Sequence, residues 1–200
     1  MGDTKERILQ TALELFAHKG YEAVSVSDIA RALGLTKGAL YRHFESKQAI
    51  FDDILARMER QDAQEARDHD LPEGTVEEDR SAYEAASLDD IIEFSKTMFR
   101  YWTEDSFAAP FRRMLTVEQY HSPRMAGLYQ QYLAAGPMGY VADLFRSLGL
   151  SDPERQAAAF YGPMFLLYSV WDGAEDKAAV TVLLDEHFDH MKSELEGEGK

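Results

Sequence analysis

The sequence between residues 28 and 47 predicts two short helices that meet across a tight turn. It reads Asp28-Ile29-Ala30-Arg31-Ala32-Leu33-Gly34-Leu35-Thr36-Lys37-Gly38-Ala39-Leu40-Tyr41-Arg42-His43-Phe44-Glu45-Ser46-Lys47. Gly34 can adopt the left-handed conformation that commonly stops a helix, and Thr36 is a suitable N-cap for a third helix, from Lys37 to about Phe44. In a helix-turn-helix, the second helix presents its N-terminal residues to the major groove of DNA.

Further helices are predicted on both sides of this pair. Ser25 and Asp28 have the spacing of a capping box, so the helix before Gly34 begins near residue 26. Residues 1–47 therefore predict a three-helix DNA-binding domain, and residues 48–66 predict a connecting helix that follows the cap at Ser46. Two stripes of apolar residues three and four apart mark the first and fourth helices: Ile8, Leu9, Ala12, Leu13 and Phe16, and then Ile50, Ile54, Leu55 and Met58.

The candidate DNA-binding residues lie at the start of the predicted recognition helix and at the neighbouring caps. Lys37 can reach a phosphate or a guanine edge, and Gly38 allows close approach because it has no side chain. Arg42 can reach either the DNA backbone or a base edge. The donors expected against the DNA backbone are Ser25, Thr36, Tyr41, His43 and Lys47. Tyr21 is expected only to pack beneath the first helix.

The net charge of −15 argues against DNA binding only if it is averaged over the whole chain. Residues 1–60 carry nine Lys and Arg and nine Asp and Glu, so all the excess acid lies after residue 60. Phosphate neutralisation is the usual source of DNA affinity. We therefore expect DNA to contact the first part and not the second. For the second part, an acidic surface that maintains solubility is as good an interpretation of the charge as a separate function.

After residue 66 the sequence predicts an acidic, mobile connection and then a second helical domain. Residues 67–87 contain the breakers Pro72 and Gly74 and few large apolar residues. Residues 88–200 then return to helical periodicity, which makes the predicted fold class all-α throughout. The expected helices are Leu88 to Trp102, Ser106 to Tyr120, Pro123 to Leu148 with a break at Gly136-Pro137, Pro153 to Trp171, and Ala174 to Leu195.

The second domain is rich in Met and aromatic residues, most of which must be core. A helical domain of this composition can also line an adaptable pocket for a small, mostly apolar effector. Arg112 and His121 are further polar side chains that could anchor such a ligand. The candidate ligand-binding residues are Met98, Trp102, Phe111, Met114, Gln119, Tyr129 and Tyr168.

The last two long helices carry stripes that predict a homodimer, because two helices from each subunit can form a four-helix interface. The alternative is that both stripes are buried within one chain. A dimer also places two recognition helices one DNA turn apart, and such a pair reads a palindrome. The stripes are Ala157, Phe160, Tyr161 and Met164, and then Val180, Leu183, Leu184, Phe188 and Met191.

Several chemistries are disfavoured by the sequence. The chain has no cysteine, and no apolar run approaches the roughly 18 to 20 residues of a membrane span. His187 and His190 could face one metal ion, but a polar helix face is the simpler interpretation because neither has an obvious third ligand. We find no convergent catalytic set and no phosphate-cradling loop. A cytoplasmic protein that is not an enzyme, with no cofactor and no metal, is expected.

Residues 5 to about 60 closely resemble the DNA-binding domain of the TetR family of regulators. The motif includes Gly20-Tyr21, Asp28-Ile29-Ala30, Gly34-Leu35-Thr36-Lys37-Gly38, Leu40-Tyr41-Arg42-His43-Phe44 and Ser46-Lys47. The resemblance implies DNA contacts by Lys37, Gly38, Tyr41, His43 and Lys47, and a helix cap at Thr36. After residue 60 the chain resembles the family only in its layout of helices.

This resemblance implies a repressor that binds palindromic operator DNA as a homodimer. The dimer forms through the last two long helices, and an effector releases the protein from DNA. The alternative is a ligand-binding or protein-binding module on a regulator-like scaffold, without specific DNA sites.

Overall fold

The structure, a computed structural model, describes residues 2–68, 71–72 and 75–198. The regular elements in these ranges are all α-helices, which confirms the predicted fold class. They are α1 (Gly2–Lys19), α2 (Val26–Ala32), α3 (Lys37–Tyr41), α4 (Lys47–Asp68), α5 (Arg80–Ala85), α6 (Leu88–Glu104), α7 (Ala108–Glu118), α8 (Pro123–Leu133), α9 (Ala135–Ser147), α10 (Pro153–Gly173) and α11 (Lys177–Glu198).

These helices group into two compact units. The first unit contains Met1–Asp62 and Asp105–Tyr129, and the second contains Ala63–Glu104 and Gln130–Lys200. Helix α7 therefore belongs with the N-terminal helices, a placement that the sequence patterns did not indicate. Among the residues that the structure describes, none of the helices combines the length and the apolar character that a bilayer span requires.

The core of the first unit is built on the stripe of α1. All five residues of that predicted stripe are buried, and α1 packs on α7 and on α2. Helix α4 contributes Ile50, Ile54 and Met58 to the core, whereas Leu55 is only half-buried. Phe111, Met114 and Leu115 of α7 are fully buried as well. Apolar burial of this kind is the main favourable term in folding.

The turn of the helix-turn-helix has the predicted geometry. Gly34 follows α2 with φ +68°, and the N–H of Leu35 donates to the carbonyl of Ala30 at 2.8 Å. This is the left-handed helix end that glycine favours. The side chain of Thr36 accepts a hydrogen bond from the N–H of Ala39 at 3.1 Å and so caps α3.

Helix α3 is shorter than predicted. It ends at Tyr41 and not at Phe44, because the hydrogen bonds tighten after it. The N–H of Arg42 donates to the carbonyl of Ala39, and that of His43 donates to the carbonyl of Leu40, each three residues back. Such tightening is common in the last turn of a helix.

The second unit is organised around α10, which packs on α9, α11 and α6. The stripes predicted to form a dimer interface are buried within the single chain, with one exception, Leu183. Phe160 shows the reason, since its ring lies 5.3 Å from that of Phe145 and 4.8 Å from that of Phe188. The alternative interpretation of the stripes was therefore the better one.

The acidic segment 67–87 contains a helix that we did not predict. Helix α5 begins after Asp79, whose side chain accepts from the N–H of Ala82, and it packs on α9. Tyr83 is almost fully buried, and burial raises the pKa of its hydroxyl to about 12. The hydroxyl of Tyr140 donates to the carbonyl of Pro72 at 3.0 Å. The predicted breaker Gly74 lies outside the described residues.

The break between α8 and α9 falls at Ala134, two residues before the predicted Gly136-Pro137. Both of those residues lie in the first turn of α9. Proline is tolerated there because the N–H groups of a first turn have no acceptor within the helix. The sequence therefore predicted that a break exists but misplaced it.

We expect Gly34→Ala to lower the free energy of unfolding by about 1 kcal/mol, because an L-residue is strained at positive φ. Steric clash plays no part, since nothing lies within 4 Å of a Cβ built at this position. Gly38→Ala is the matched control: it lies inside α3 with equally open surroundings, and it should stabilise by roughly 0.5 kcal/mol. Urea denaturation measures both, and equal effects would contradict the turn geometry.

Candidate nucleic-acid interface

The exposed face of α3 carries the predicted recognition residues. Lys37, Gly38, Tyr41 and Arg42 are exposed, whereas Leu40 is fully buried and anchors the helix from below. The ammonium of Lys37 lies 5.7 Å from the ring centroid of Tyr41, one turn along. Tyr41 is 44% exposed, so its ring and hydroxyl are accessible on this face. The face therefore offers a cation and an aromatic hydroxyl side by side.

Ser25 and Asp28 form the predicted capping box at the start of α2. The hydroxyl of Ser25 accepts from the N–H of Asp28 at 3.2 Å, and the carboxylate of Asp28 accepts from the N–H of Ser25 at 3.0 Å. The same carboxylate accepts from the Ser25 hydroxyl, and these hydrogen bonds lower the pKa of Asp28. Ser25 is exposed as well as capping, and its contact with DNA stays a prediction.

Lys47 braces the N-terminal end of α4. Its ammonium donates to the carbonyl of Tyr21 at 2.7 Å and lies 4.3 Å from the centroid of the Tyr21 ring. That ring is buried against Phe16, as expected, and also against Phe51. Burial raises the pKa of the Tyr21 hydroxyl. A phosphate contact by Lys47 stays a prediction, and so do contacts by the half-buried His43 and by Thr36.

Glu118, at the end of α7, is the site residue that sequence reasoning missed. It is 2% exposed, and its carboxylate accepts from the N–H of Tyr21 at 2.9 Å. The second carboxylate oxygen lies 3.2 Å from Nδ1 of His121. Tyr21 and Glu118 are 97 positions apart, so no local pattern could have paired them.

The seven candidate ligand-binding residues are divided between the two units. Met98, Trp102 and Tyr168 belong to the second unit, and the others belong to the first. Trp102, Phe111, Met114 and Tyr168 are buried, whereas Met98, Gln119 and Tyr129 are half-buried. The ring of Tyr168 stacks on Phe99 at 5.3 Å, and the ring of Trp102 lies edge-on to Tyr132. Their role in binding a ligand stays a prediction.

The histidines of α11 are engaged in local contacts. Nε2 of His187 lies 2.8 Å from the carbonyl of Phe160, and Nε2 of His190 lies 3.5 Å from a carboxylate oxygen of Glu194. Over the part of the chain that the structure describes, no three His, Cys, Asp or Glu side chains come together as metal ligands.

The all-helical fold and the exposed face of α3 have the layout of a helix-turn-helix. Residues 8–54 match the family model described as bacterial regulatory proteins, tetR family. This match confirms the resemblance that the N-terminal part of the sequence shows to the TetR family.

Relatives in sequence are transcriptional regulators that the chain matches over part of their length. AcrR of Shigella flexneri is 27% identical over 125 residues, which are 62% of this chain and 52% of that protein. The uncharacterised regulator YerO of Bacillus subtilis is 48% identical over 50 residues, 25% of this chain and 17% of that protein. The negative regulator IcaR of Staphylococcus aureus is 40% identical over 51 residues, 26% of this chain and 27% of that protein. The chain thus spans about half or less of these relatives.

Solved structures show the same fold over nearly the whole chain. A TerR/AcrR-family regulator of Aquifex aeolicus superposes with a TM-score of 0.67 at 20% identity, covering 94% of this chain and 99% of that one. SmeT in complex with triclosan superposes with a TM-score of 0.66 at 16% identity, covering 96% of this chain and 90% of that one. At such identities the likeness concerns the fold alone.

We expect Ser25→Ala to raise the pKa of Asp28 toward its ordinary value, because the hydroxyl that stabilises the carboxylate is lost. A carboxyl whose pKa is lowered by folding stabilises the folded state at pH values above its ordinary pKa. This contribution disappears as the pH falls through the folded-state pKa. The variant should therefore lose less stability on acidification. An NMR titration of the Asp28 carboxyl measures the pKa. Ser27→Ala, in the same helix but outside the cap, is the control and should leave it unchanged.

Proposed function

We propose that the protein is a cytoplasmic transcriptional repressor that binds palindromic operator DNA as a homodimer. A small, mostly apolar effector releases this homodimer from the DNA. The observation that carries the proposal is the exposed pair Lys37 and Tyr41 on a helix fixed from below by Leu40. That face has the position and the chemistry of a recognition surface. Repression is supported by IcaR, a relative described as a negative regulator.

The charge distribution sets how this protein would bind. Residues 1–60 are neutral overall, so attraction to DNA depends on the local exposure of Lys37 and Arg42 and not on a basic domain. A neutral domain has little non-specific affinity, because that affinity arises from counterion release. Specific contacts and a two-fold arrangement of half-sites would then supply most of the binding energy.

Selection of random duplexes with the purified protein is expected to enrich a palindrome, and Lys37→Ala and Tyr41→Ala are each expected to bind that palindrome about tenfold more weakly. Repeating the binding at two salt concentrations shows what Lys37 contacts. A phosphate contact lowers the slope of log affinity against log salt by about 0.9, whereas a base contact leaves the slope and relaxes the sequence preference. Arg80→Ala removes an exposed cation from α5 as the charge-matched control. Absence of enrichment at every salt concentration would favour a binding module without DNA sites.

Helices α10 and α11 present a second apolar face, opposite the stripes that they bury. Leu166 is 63% exposed and Val170 41% on α10, while Val182 is 54% and Leu183 52% exposed on α11. Small exposed residues surround them and would allow close approach of another helix pair: Ala158, Ala159, Gly162, Ala178 and Ala179. Exposed apolar patches of this kind mark association surfaces. We place the dimer interface on this face.

Leu166→Glu and Leu183→Glu are each expected to turn the dimer into a monomer, because both would place a charge in an apolar interface without a partner. Sedimentation velocity measures the change, and operator affinity should fall with it because each monomer reads one half-site. Met138→Glu introduces the same charge at a residue of α9 that is 40% exposed, and it should remain dimeric. A dimer that survives both substitutions would exclude this face.

The effector proposal is supported by the chemistry of the second half of the chain. Met98, Trp102 and Tyr168 in the second unit, and Phe111 and Met114 in the first, are apolar or aromatic side chains suited to an apolar ligand. We also retain Gln119 and Tyr129 as polar candidates. SmeT, which shares the fold, was solved with triclosan bound, so this fold can accept a small molecule. Release of a selected operator duplex offers a direct screen for such compounds.

A further inference from the structure

The turn between α1 and α2 is fixed from several sides within the first unit. Gly20 opens it at φ +86°, and the aromatic ring of Tyr21 is buried between Phe16 and Phe51. The backbone of Tyr21 is held on both sides of its Cα atom. Its N–H donates to the carboxylate of Glu118, and its carbonyl accepts from the ammonium of Lys47. The turn thus joins the end of α7 to the beginning of α4.

The carboxylate of Glu118 lies close against the backbone of this turn. A Cβ atom on residue 20 would lie 3.0 Å from Oε1 of Glu118, so any side chain at this position would be in tight steric contact with the carboxylate. A carboxylate that is 2% exposed requires hydrogen-bond donors, since burial without them is costly. The N–H of Tyr21 supplies one, at 2.9 Å.

Two other polar contacts between the same parts of the first unit are exposed. Gln10 of α1 donates to the carbonyl of Ser106, and the ion pair of Arg124 with Asp52 has side chains that are 48% and 53% exposed. Exposed ion pairs contribute little to stability because water screens them and because two long side chains must be ordered. The buried bond from Tyr21 to Glu118 is less screened by water than either of these two contacts.

We propose that Glu118 is a positioning residue for DNA binding, which acts by holding the Tyr21 peptide and not by touching DNA. The turn leads directly to Ser25, the cap of α2, and through Lys47 it sets the start of α4. Fixing the Tyr21 peptide therefore fixes the entry to the helix-turn-helix from both sides. The inference rests on the proposed function, and it assigns a DNA-binding role to a residue far outside the segment 8–54 that matches the family model.

Two conservative variants of the full chain separate the effect of side-chain length at residue 118 from the effect of its charge. Glu118→Gln keeps the length of the side chain and one oxygen that can accept from Tyr21, but it removes the charge. Glu118→Asp keeps the charge but withdraws the carboxylate by one methylene. Glu59→Gln makes the same chemical change at an exposed carboxylate of α4 and serves as the control. The readouts are hydrogen exchange at the Tyr21 amide, the melting temperature, and affinity for both the selected operator and a scrambled duplex.

The proposal expects Glu118→Asp to accelerate exchange at the Tyr21 amide and to weaken operator binding by roughly tenfold, with the scrambled duplex bound as before. Glu118→Gln should stay closer to the wild type in both readouts. Equal losses for operator and scrambled duplex would overturn the proposal, because they indicate a merely structural role. A larger loss of operator affinity in Glu118→Gln than in Glu118→Asp would overturn the proposal as well, because the charge would then matter more than the side-chain length.

The amide-exchange measurement separates this inference from the proposed function. If selection yields no operator, the proposed function fails while the exchange at Tyr21 still shows whether Glu118 holds the turn. If an operator is found and Glu118→Asp binds it within twofold of the wild type, the positioning role fails and the proposed function stands. The control Glu59→Gln should match the wild type in every readout.

Discussion

A helix of five residues has no stability of its own in water, because nucleating a helix costs more than one turn of hydrogen bonds returns. Helix α3 therefore depends on what surrounds it. Leu40 is fully buried and Phe44 nearly so, and Thr36 satisfies one of the free N–H groups at the start of the helix. Because one side of α3 is committed to this anchoring, only the opposite side, with Lys37 and Tyr41, is available to DNA.

The same dependence explains why the first unit extends beyond the N-terminal helices. Helix α1 buries its stripe against α7, and α7 ends at the carboxylate that holds the Tyr21 turn. The orientation of a short recognition helix is thus a property of the whole unit. A domain that is neutral overall benefits from such rigidity, because it has no surplus of positive charge to compensate for poorly oriented contacts.

In the second unit, α10 and α11 carry apolar side chains on two faces, of which one is buried and the other is exposed. Phe160 and Phe188 fill the interior, whereas Leu166 and Leu183 face outward. The outward face of this pair is the one on which we propose that a second copy of the chain packs.

The sequence alone determined the fold class, the helix-turn-helix and the residues on its exposed face, because capping, turn geometry and helical periodicity are local and leave short-range patterns. Ser25, Gly34 and Thr36 behave as their types and spacing predict. Only the tertiary structure decided which apolar stripe of α10 and α11 is interior, and that Glu118 meets Tyr21. Periodicity shows that a face is apolar but not what covers it, and a contact across 97 positions leaves no local trace.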